Sequence, residues 1–248
     1  MENTIEVRSL KKKFGDFIAV NSISFTVGRG EIFGFLGPNG AGKTTTIRML
    51  CGLLDPSDGS GSVAGFDIKT KSEEIKKVIG YMSQRFSLYE DLTAAENFEF
   101  FSGVYDVKAD AIIERRGELF ELFKLGGKED VLASELSGGF RQRLALACAI
   151  AHGPKVLFLD EPTAGVDPIT RKTFWDHIYK LAEEGVTVLV TTHYMDEAEY
   201  CNRLALIYDG RIIAEGSPTD LKEQTKATSL EDFFVTLIDA EKKARASQ

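Results

Sequence analysis

The sequence predicts an α/β fold: a parallel sheet between helices, with antiparallel strands ahead of it and a helical insert within it. Three observations carry that expectation. A mostly apolar run over residues 32–36 leads straight into a glycine-rich loop and then a helical pattern. A second apolar run, 156–159, ends on a pair of carboxylates. Between them, residues 93–125 change to aromatic and aliphatic side chains at helical spacing.

Taken in order, residues 4–36 open with alternation. Ile5, Val7 and Leu10, then Ile23, Phe25 and Val27, read as antiparallel strands, with Gly28-Arg29-Gly30 as a turn. Ile32-Phe33-Gly34-Phe35-Leu36 has the continuous apolar character of a buried parallel strand. Ile47, Leu50 and Cys51 then recur at helical spacing within 44–54. Residues 55–66, rich in Asp, Ser and Gly, are expected to turn. Residues 78–82 read as another strand.

Phe98, Phe101, Val104 and Tyr105, then Ile112, Ile113, Leu119, Phe120 and Phe123, build a helical insert over 86–135. After it come a helix at 140–151, a strand at 156–159, a helix at 169–184, a strand at 186–191 and a short helix near 195–201. Residues 204–208 and 211–214 form a hairpin about Asp209-Gly210, residues that accept the positive φ of a type I′ turn. From 229 on, an amphipathic helix ends in charged residues. No repeat, low-complexity tract or linker divides the chain, so 1–248 reads as one domain.

A net charge of −8 argues against sequence-independent DNA binding and against docking on anionic lipid headgroups, both of which take a basic face. It does not argue against a nucleotide, whose phosphates are held by backbone amides, one Lys and a metal. The longest apolar run, 144–151, is far short of the roughly 18 residues of a membrane-spanning helix. The first residues lack the basic and apolar regions of a signal peptide. Cys51, Cys148 and Cys201 are scattered and form no Cys/His cluster. They point to no zinc site or disulfide framework and read as reduced, mostly buried thiols of a cytoplasmic protein.

The chemistry starts at Gly37-Pro38-Asn39-Gly40-Ala41-Gly42-Lys43-Thr44, followed by Thr45, a complete G-x-x-x-x-G-K-[ST] loop. Its amides and the positive end of the helix at 44–54 converge on a β-phosphate. Lys43 is expected to reach the β- and γ-phosphates and the Thr44 hydroxyl to ligate Mg²⁺. Asp160-Glu161 ends the strand at 156–159, where Asp160 is placed to hold Mg²⁺ and Glu161 to polarise an attacking water as general base. A plain Gly-rich turn and an acidic helix cap are the competing readings. The strand–loop–helix context and the presence of both motifs favour the phosphate site.

With those residues in place, the chain resembles the ATP-binding cassette (ABC) superfamily over essentially its whole length. Residues 37–44 look like its Walker A loop, and residues 156–160 with Glu161 look like its Walker B strand and catalytic glutamate. Leu136-Ser137-Gly138-Gly139 looks like its signature, Gln84 like its Q-loop glutamine, Ala164-Gly165-Val166-Asp167 like its D-loop and His193 like its H-loop histidine.

The resemblance implies a P-loop NTPase core with an antiparallel β subdomain and an α-helical signature subdomain at about 86–152, the ABC ATPase fold, and a C-terminal helix at about 229–246. It implies ATP as substrate and Mg²⁺ as cofactor. Gln84 would touch Mg²⁺ and the attacking water and connect the site to a transport partner, while His193 would contact the γ-phosphate and steady Glu161. Ser137, Gly138 and Gly139, at the start of the helix at 140–151, would face the γ-phosphate held by a second cassette, identical or related, so that one nucleotide is shared by two chains. Asp167 would be a dimer contact, although Asp167-Pro168 equally reads as a cap and first helical turn. Phe14 looks like the aromatic that stacks on adenine, in place of the family's frequent Tyr; a core Phe at a strand end is the other reading.

Phe140, where many members have Gln, together with residues 165–168, 192–199 and 229–234, resembles the daunorubicin-type bacterial export branch and half of a tandem efflux ATPase. The implied role is the ATP-hydrolysing subunit of an exporter, cytoplasmic and held on the inner face of the membrane by an integral permease. Phe86 and Tyr89 on the insert are its expected docking aromatics, if they are not core. A non-transport ABC ATPase acting on ribosomes or DNA is the alternative. It is disfavoured by the acidic balance and by the lack of coiled-coil arms, a tandem second cassette or basic extensions, and no nucleic acid partner is expected. A generic P-loop kinase would lack the Ser-Gly-Gly signature, and a GTPase would show an N-K-x-D motif.

Overall fold

The computed structural model describes residues 2–84 and 88–246. β1 (Asn3–Phe14) and β2 (Phe17–Gly28) pair antiparallel, and Ile5, Val7, Leu10, Ile23, Phe25 and Val27 are all buried, as their alternation implies. The turn between these strands leaves Phe14 opposite Phe17. β3 (Ile32–Leu36) is buried at every position. α1 (Lys43–Leu50) stops short of the anticipated end at 54 because Gly52 turns the chain at φ +67°.

The turn expected over 55–66 is largely a strand. β4 (Asp58–Val63) carries the short β5 (Phe66–Asp67), giving a sheet ordered β2-β1-β4-β5. The Gly/Ser composition conceals it, because the pairing is supplied by β1, where Ile5 and Arg8 lie opposite Val63 and Ser60. Tertiary pairing here overrides weak strand propensity. α2 (Ser72–Val78), absent from the sequence reading, leads into β6 (Ile79–Met82).

The insert contains α3 (Ala94–Val104), α4 (Ala109–Leu122) and α5 (Gly138–Ala149). A reciprocal capping box between Thr93 and Glu96 starts α3. Phe98, Leu119, Phe120 and Phe123 are buried as their spacing predicts, whereas Val104 and Ile113 of the same pattern are exposed. α5 begins at Gly138 rather than at 140, because Ser137 adopts the extended cap conformation, and it ends at Ala149 rather than 151. Tyr89 is exposed and meets Phe100 edge-on at 4.7 Å. Phe86 lies outside the described residues.

The chain continues through β7 (Val156–Asp160), α6 (Pro168–Glu183), β8 (Thr187–Thr192), α7 (Met195–Ala198), β9 (Arg203–Tyr208) and β10 (Arg211–Gly216). It closes with α8 (Pro218–Thr225), also unanticipated, and α9 (Leu230–Ala246). Asp209 and Gly210 take φ values of +49° and +73°, as the hairpin between β9 and β10 requires.

The main sheet runs β10-β9-β3-β8-β7-β6, with β3, β6, β7, β8 and β9 parallel and β10 antiparallel at the edge. Its central strands are mostly apolar, and period two sorts their side chains between the two faces. Ile32, Leu36, Leu157, Leu159, Val188 and Val190 pack on the side of the helical insert and α6. Phe33, Phe35, Val156, Phe158 and Leu189 pack on the side of α1 and the antiparallel sheet. Phe25, Phe33 and Phe35 meet there with ring centroids 5.0–5.7 Å apart.

Cys51, Cys148 and Cys201 are buried free thiols. His152 stacks on Tyr105 at 3.8 Å with Nε2 3.0 Å from the Ile79 carbonyl, and burial pulls its pKa down to about 4, so it is a neutral packing residue. No helix among the described residues is long and apolar enough to cross a membrane. Because the central strands are parallel, the segments after β3, β6, β7 and β8 leave the sheet at one edge, where α/β sheets bind ligands. The glycine loop, Gln84, Asp160-Glu161 and His193 all sit on those segments.

Candidate functional site

The glycine loop joins β3 to α1. Gly42 forms the cap of α1 at φ +106°, and no side chain caps the helix. A Cβ at Gly42 would lie 2.5 Å from the Ala19 carbonyl oxygen, so only glycine fits both the backbone angle and the space. The first amides of α1 therefore remain available to an anion. Lys43 is buried, and its Nζ donates to the carbonyls of Gly37 (2.7 Å) and Pro38 (3.1 Å). Burial lowers the Lys43 pKa, opposed by the Glu161 and Asp160 carboxylates.

Asp160 is the last residue of β7 and is buried. Its Oδ1 accepts from the hydroxyls of Thr44 (3.1 Å) and Thr191 (2.6 Å). Glu161 follows in the left-handed region at φ +50°, uncommon for a side chain of this kind and a form of strain that concentrates at functional sites. Thr191 holds it there, its carbonyl and its hydroxyl accepting from the Glu161 amide at 3.1 and 3.0 Å.

The Glu161 carboxylate is where the separate motifs meet. Gln84 Nε2 donates to Oε2 at 3.0 Å, and His193 Nδ1 stands 3.2 Å from the same oxygen. Lys43 Nζ is 3.5 Å from Oε1. The segments that follow four parallel strands thus meet at one buried carboxylate, beside a hydroxyl–carboxylate pair formed by Thr44 and Asp160. That pair offers the hard oxygen donors that Mg²⁺ takes.

A groove opens from this cluster along the loop. Asn39, Gly40, Ala41, Gly42, Thr44 and Thr45 line it, together with Gln84, Glu161, Phe14 and Phe17. Phe14 is exposed, which removes the reading of a core phenylalanine, and Lys12 Nζ lies 5.1 Å from its ring centre. Phe17, which the sequence reading does not single out, is still more exposed.

Ser137, Gly138, Gly139 and Asp167 do not line this groove. Ser137 and Gly138 are exposed at the start of α5, and the Ser137 hydroxyl makes no cap bond. Gly139 packs against α6 so closely that a Cβ would fall 2.8 Å from Thr170 Cγ2. Asp167 caps α6, accepting from the amides of Ile169 (3.1 Å) and Thr170 (3.0 Å), and hydrogen bonding by the Thr170 side chain and amide lowers its pKa, opposed by burial. Of its two readings, the cap is present.

Two further residues join the site without a sequence motif. Thr191 sits beside Thr192 at the end of β8, and Gln142 is a fully buried amide on α5 that donates to the Pro162 carbonyl, next to Glu161. For Gln142, a polar residue on a buried helix face was the available signal; Thr191, next to a second threonine, offered none.

Known proteins resemble this chain in sequence and in fold. The ABC transporter family pattern matches residues 20–164. The chain is 52% identical over 242 residues to "Probable multidrug ABC transporter ATP-binding protein YbhF" of Escherichia coli, covering 96% of this chain and 42% of that protein. It therefore spans less than half the length of that relative. It is 44% identical over 220 residues to "Nod factor export ATP-binding protein I" of Burkholderia lata, covering 88% of this chain and 72% of that one. A solved ATP-binding subunit of an ABC transporter superposes with a TM-score of 0.85 at 28% identity, covering 95% of this chain and 99% of that chain. A dimeric ATP-binding cassette bound to ADP and Pi superposes with a TM-score of 0.77 at 27% identity, covering 86% and 98%.

Proposed function

Since this chain belongs to the ABC transporter family, we propose that it is the ATP-hydrolysing subunit of an exporter and drives a separate integral membrane subunit by closing on a second cassette. The observation that carries this reading is the Glu161 carboxylate, held between Gln84, His193 and Lys43 in the lining of a glycine-loop groove.

In this reading the loop amides and Lys43 hold the β- and γ-phosphates of ATP, while Phe14 stacks on adenine with Phe17 beside it. Thr44 and Asp160 would hold Mg²⁺, which when bound offsets negative charge on the phosphate oxygens. Glu161 accepts the proton of the attacking water. Gln84 and His193 fix the orientation of that carboxylate. Ser137, Gly138 and Gly139 serve the nucleotide of the second cassette. Their exposure away from this chain's own groove supports that role, and so does the dimeric cassette among the structural relatives. Asp167 adds a contact at the same interface.

The exposed pair Tyr89 and Phe100 on the insert is the face offered to the membrane subunit, which keeps the chain peripheral on the cytoplasmic side. The relatives named for multidrug transport and for Nod factor export favour export, and the likeness of residues 192–199 and 229–234 favours the daunorubicin-type branch.

The test is biochemical. The purified chain is expected to hydrolyse ATP with Mg²⁺ and to stop in excess EDTA. Tagged in its own cell, it is expected to sediment with membranes and to be released by alkaline carbonate without detergent. ATP hydrolysis that is indifferent to EDTA, or a chain that stays wholly in the supernatant, contradicts the proposal.

A further inference from the structure

Glu197 is the one buried carboxylate among the described residues that the groove does not use. It lies on α7, just beyond His193, and is 1% exposed. Its Oε1 accepts from the Thr163 hydroxyl, and its Oε2 accepts from the Thr192 hydroxyl at 2.7 Å. Thr192 in turn accepts from the Tyr194 amide at 2.9 Å. Arg171, from α6, places Nε 3.3 Å from Oε1, pairs with Asp196 through Nη1 at 2.7 Å, and lays its guanidinium 4.6 Å over the Tyr194 ring. Burial raises the Glu197 pKa, opposed by the two hydroxyls and Arg171.

A carboxylate is an unfavourable core filler unless its partners compensate for lost water. Here the partners are not scattered. Thr163 follows Glu161 by one intervening residue, and Thr192 immediately precedes His193. One side chain therefore ties the segment carrying Glu161 to the segment carrying His193, with Arg171 bracing it from α6. Gln142 fastens the same stretch from α5, through the Pro162 carbonyl.

We propose that Glu197 is a positioning residue that fixes the spacing of Glu161 and His193, and so sets the rate of hydrolysis but not the binding of ATP. This rests on the catalytic reading of Glu161. Glu197 touches neither groove nor substrate. It acts by holding two chain segments in register, and its loss lets the His193 ring and the Glu161 carboxylate drift apart.

Glu197→Gln keeps the volume but presents an NH₂ donor to a hydroxyl or to Arg171. It is expected to lower kcat about tenfold or more. The Kd for ATP stays within about twofold of wild type, because only a rate-determining geometry is lost. In a His193→Ala background the same change is expected to cost less than about twofold further, since the spacing no longer has a partner to serve. Should Glu197→Gln fail to fold, Thr163→Val and Thr192→Val each remove one arm without changing volume and carry the same three measurements.

Unchanged kcat, a parallel loss of ATP affinity, or an equal loss with and without His193 overturns the proposal. A Glu161→Gln control separates the two layers. If it is inactive while Glu197→Gln is fully active, only the positioning role fails. If Glu161→Gln keeps wild-type turnover, the reading of the groove fails with it.

Discussion

Glu161→Gln is expected to lower kcat by about 10²–10⁴-fold, the range for loss of a positioned general base, while ATP still binds. The substitution is nearly isosteric, so the left-handed backbone at φ +50° and the two Thr191 contacts persist. What changes is charge. The amide cannot accept a proton from water, and its NH₂ group opposes the Gln84 donor that the carboxylate accepts at 3.0 Å. Removing a carboxylate beside Lys43 also leaves that ammonium freer to hold phosphate, so bound ATP should persist and two chains should accumulate as a closed dimer. Single-turnover hydrolysis and size-exclusion chromatography with saturating Mg²⁺-ATP check both halves. Wild-type turnover from a chain that stays monomeric contradicts the assignment.

The second large effect is at Lys43. Lys43→Ala is expected to raise the Kd for ATP about a hundredfold or more, because charge-assisted bonds to phosphate are among the stronger single contacts. The lysine is buried inside the loop with its stem fixed, and its Nζ now satisfies the Gly37 and Pro38 carbonyls and faces Glu161 at 3.5 Å. Truncation therefore removes the phosphate donor and strands a buried carboxylate, so a modest fall in thermal stability should accompany the loss of binding. Titration with a fluorescent ATP analogue measures the first effect and a melting curve the second. Unchanged affinity in a folded variant contradicts the phosphate-loop reading.

The elements legible in the sequence share a physical character. The Gly37–Thr44 stretch is local: a strand, a turn that needs glycine at Gly42, and a helix start follow one another along the chain, so adjacent residues specify the geometry. Asp160-Glu161 at the end of an apolar run is local as well. The aromatic spacing of the insert placed α3 and α4 on their buried faces for the same reason.

What was missed depends on partners distant in sequence. β4 is a strand because β1 pairs with it, and nothing in its Gly/Ser composition says so. Thr191 reaches Asp160 across 31 residues and Glu197 reaches Thr163 across 34, and neither residue stands out from its neighbours. Phe17 becomes a groove residue only because the hairpin register sets it opposite Phe14. Ser137 shows the reverse case. Its motif was clear in sequence, but its place on the surface, apart from the chain's own groove, emerges only in three dimensions.

That separation motivates the central proposal, that one chain's glycine loop is completed by another chain's signature. Mixing two inactive variants tests it. Glu161→Gln disables the site on its own loop but offers an intact signature, and Ser137→Arg does the opposite. In a head-to-tail pair of the two, one site is intact. Each variant alone is expected to be nearly inactive, and an equal mixture is expected to recover on the order of a quarter of the wild-type rate, since half of the dimers are mixed and each has one good site. A mixture no more active than its separate components contradicts a site shared between two chains.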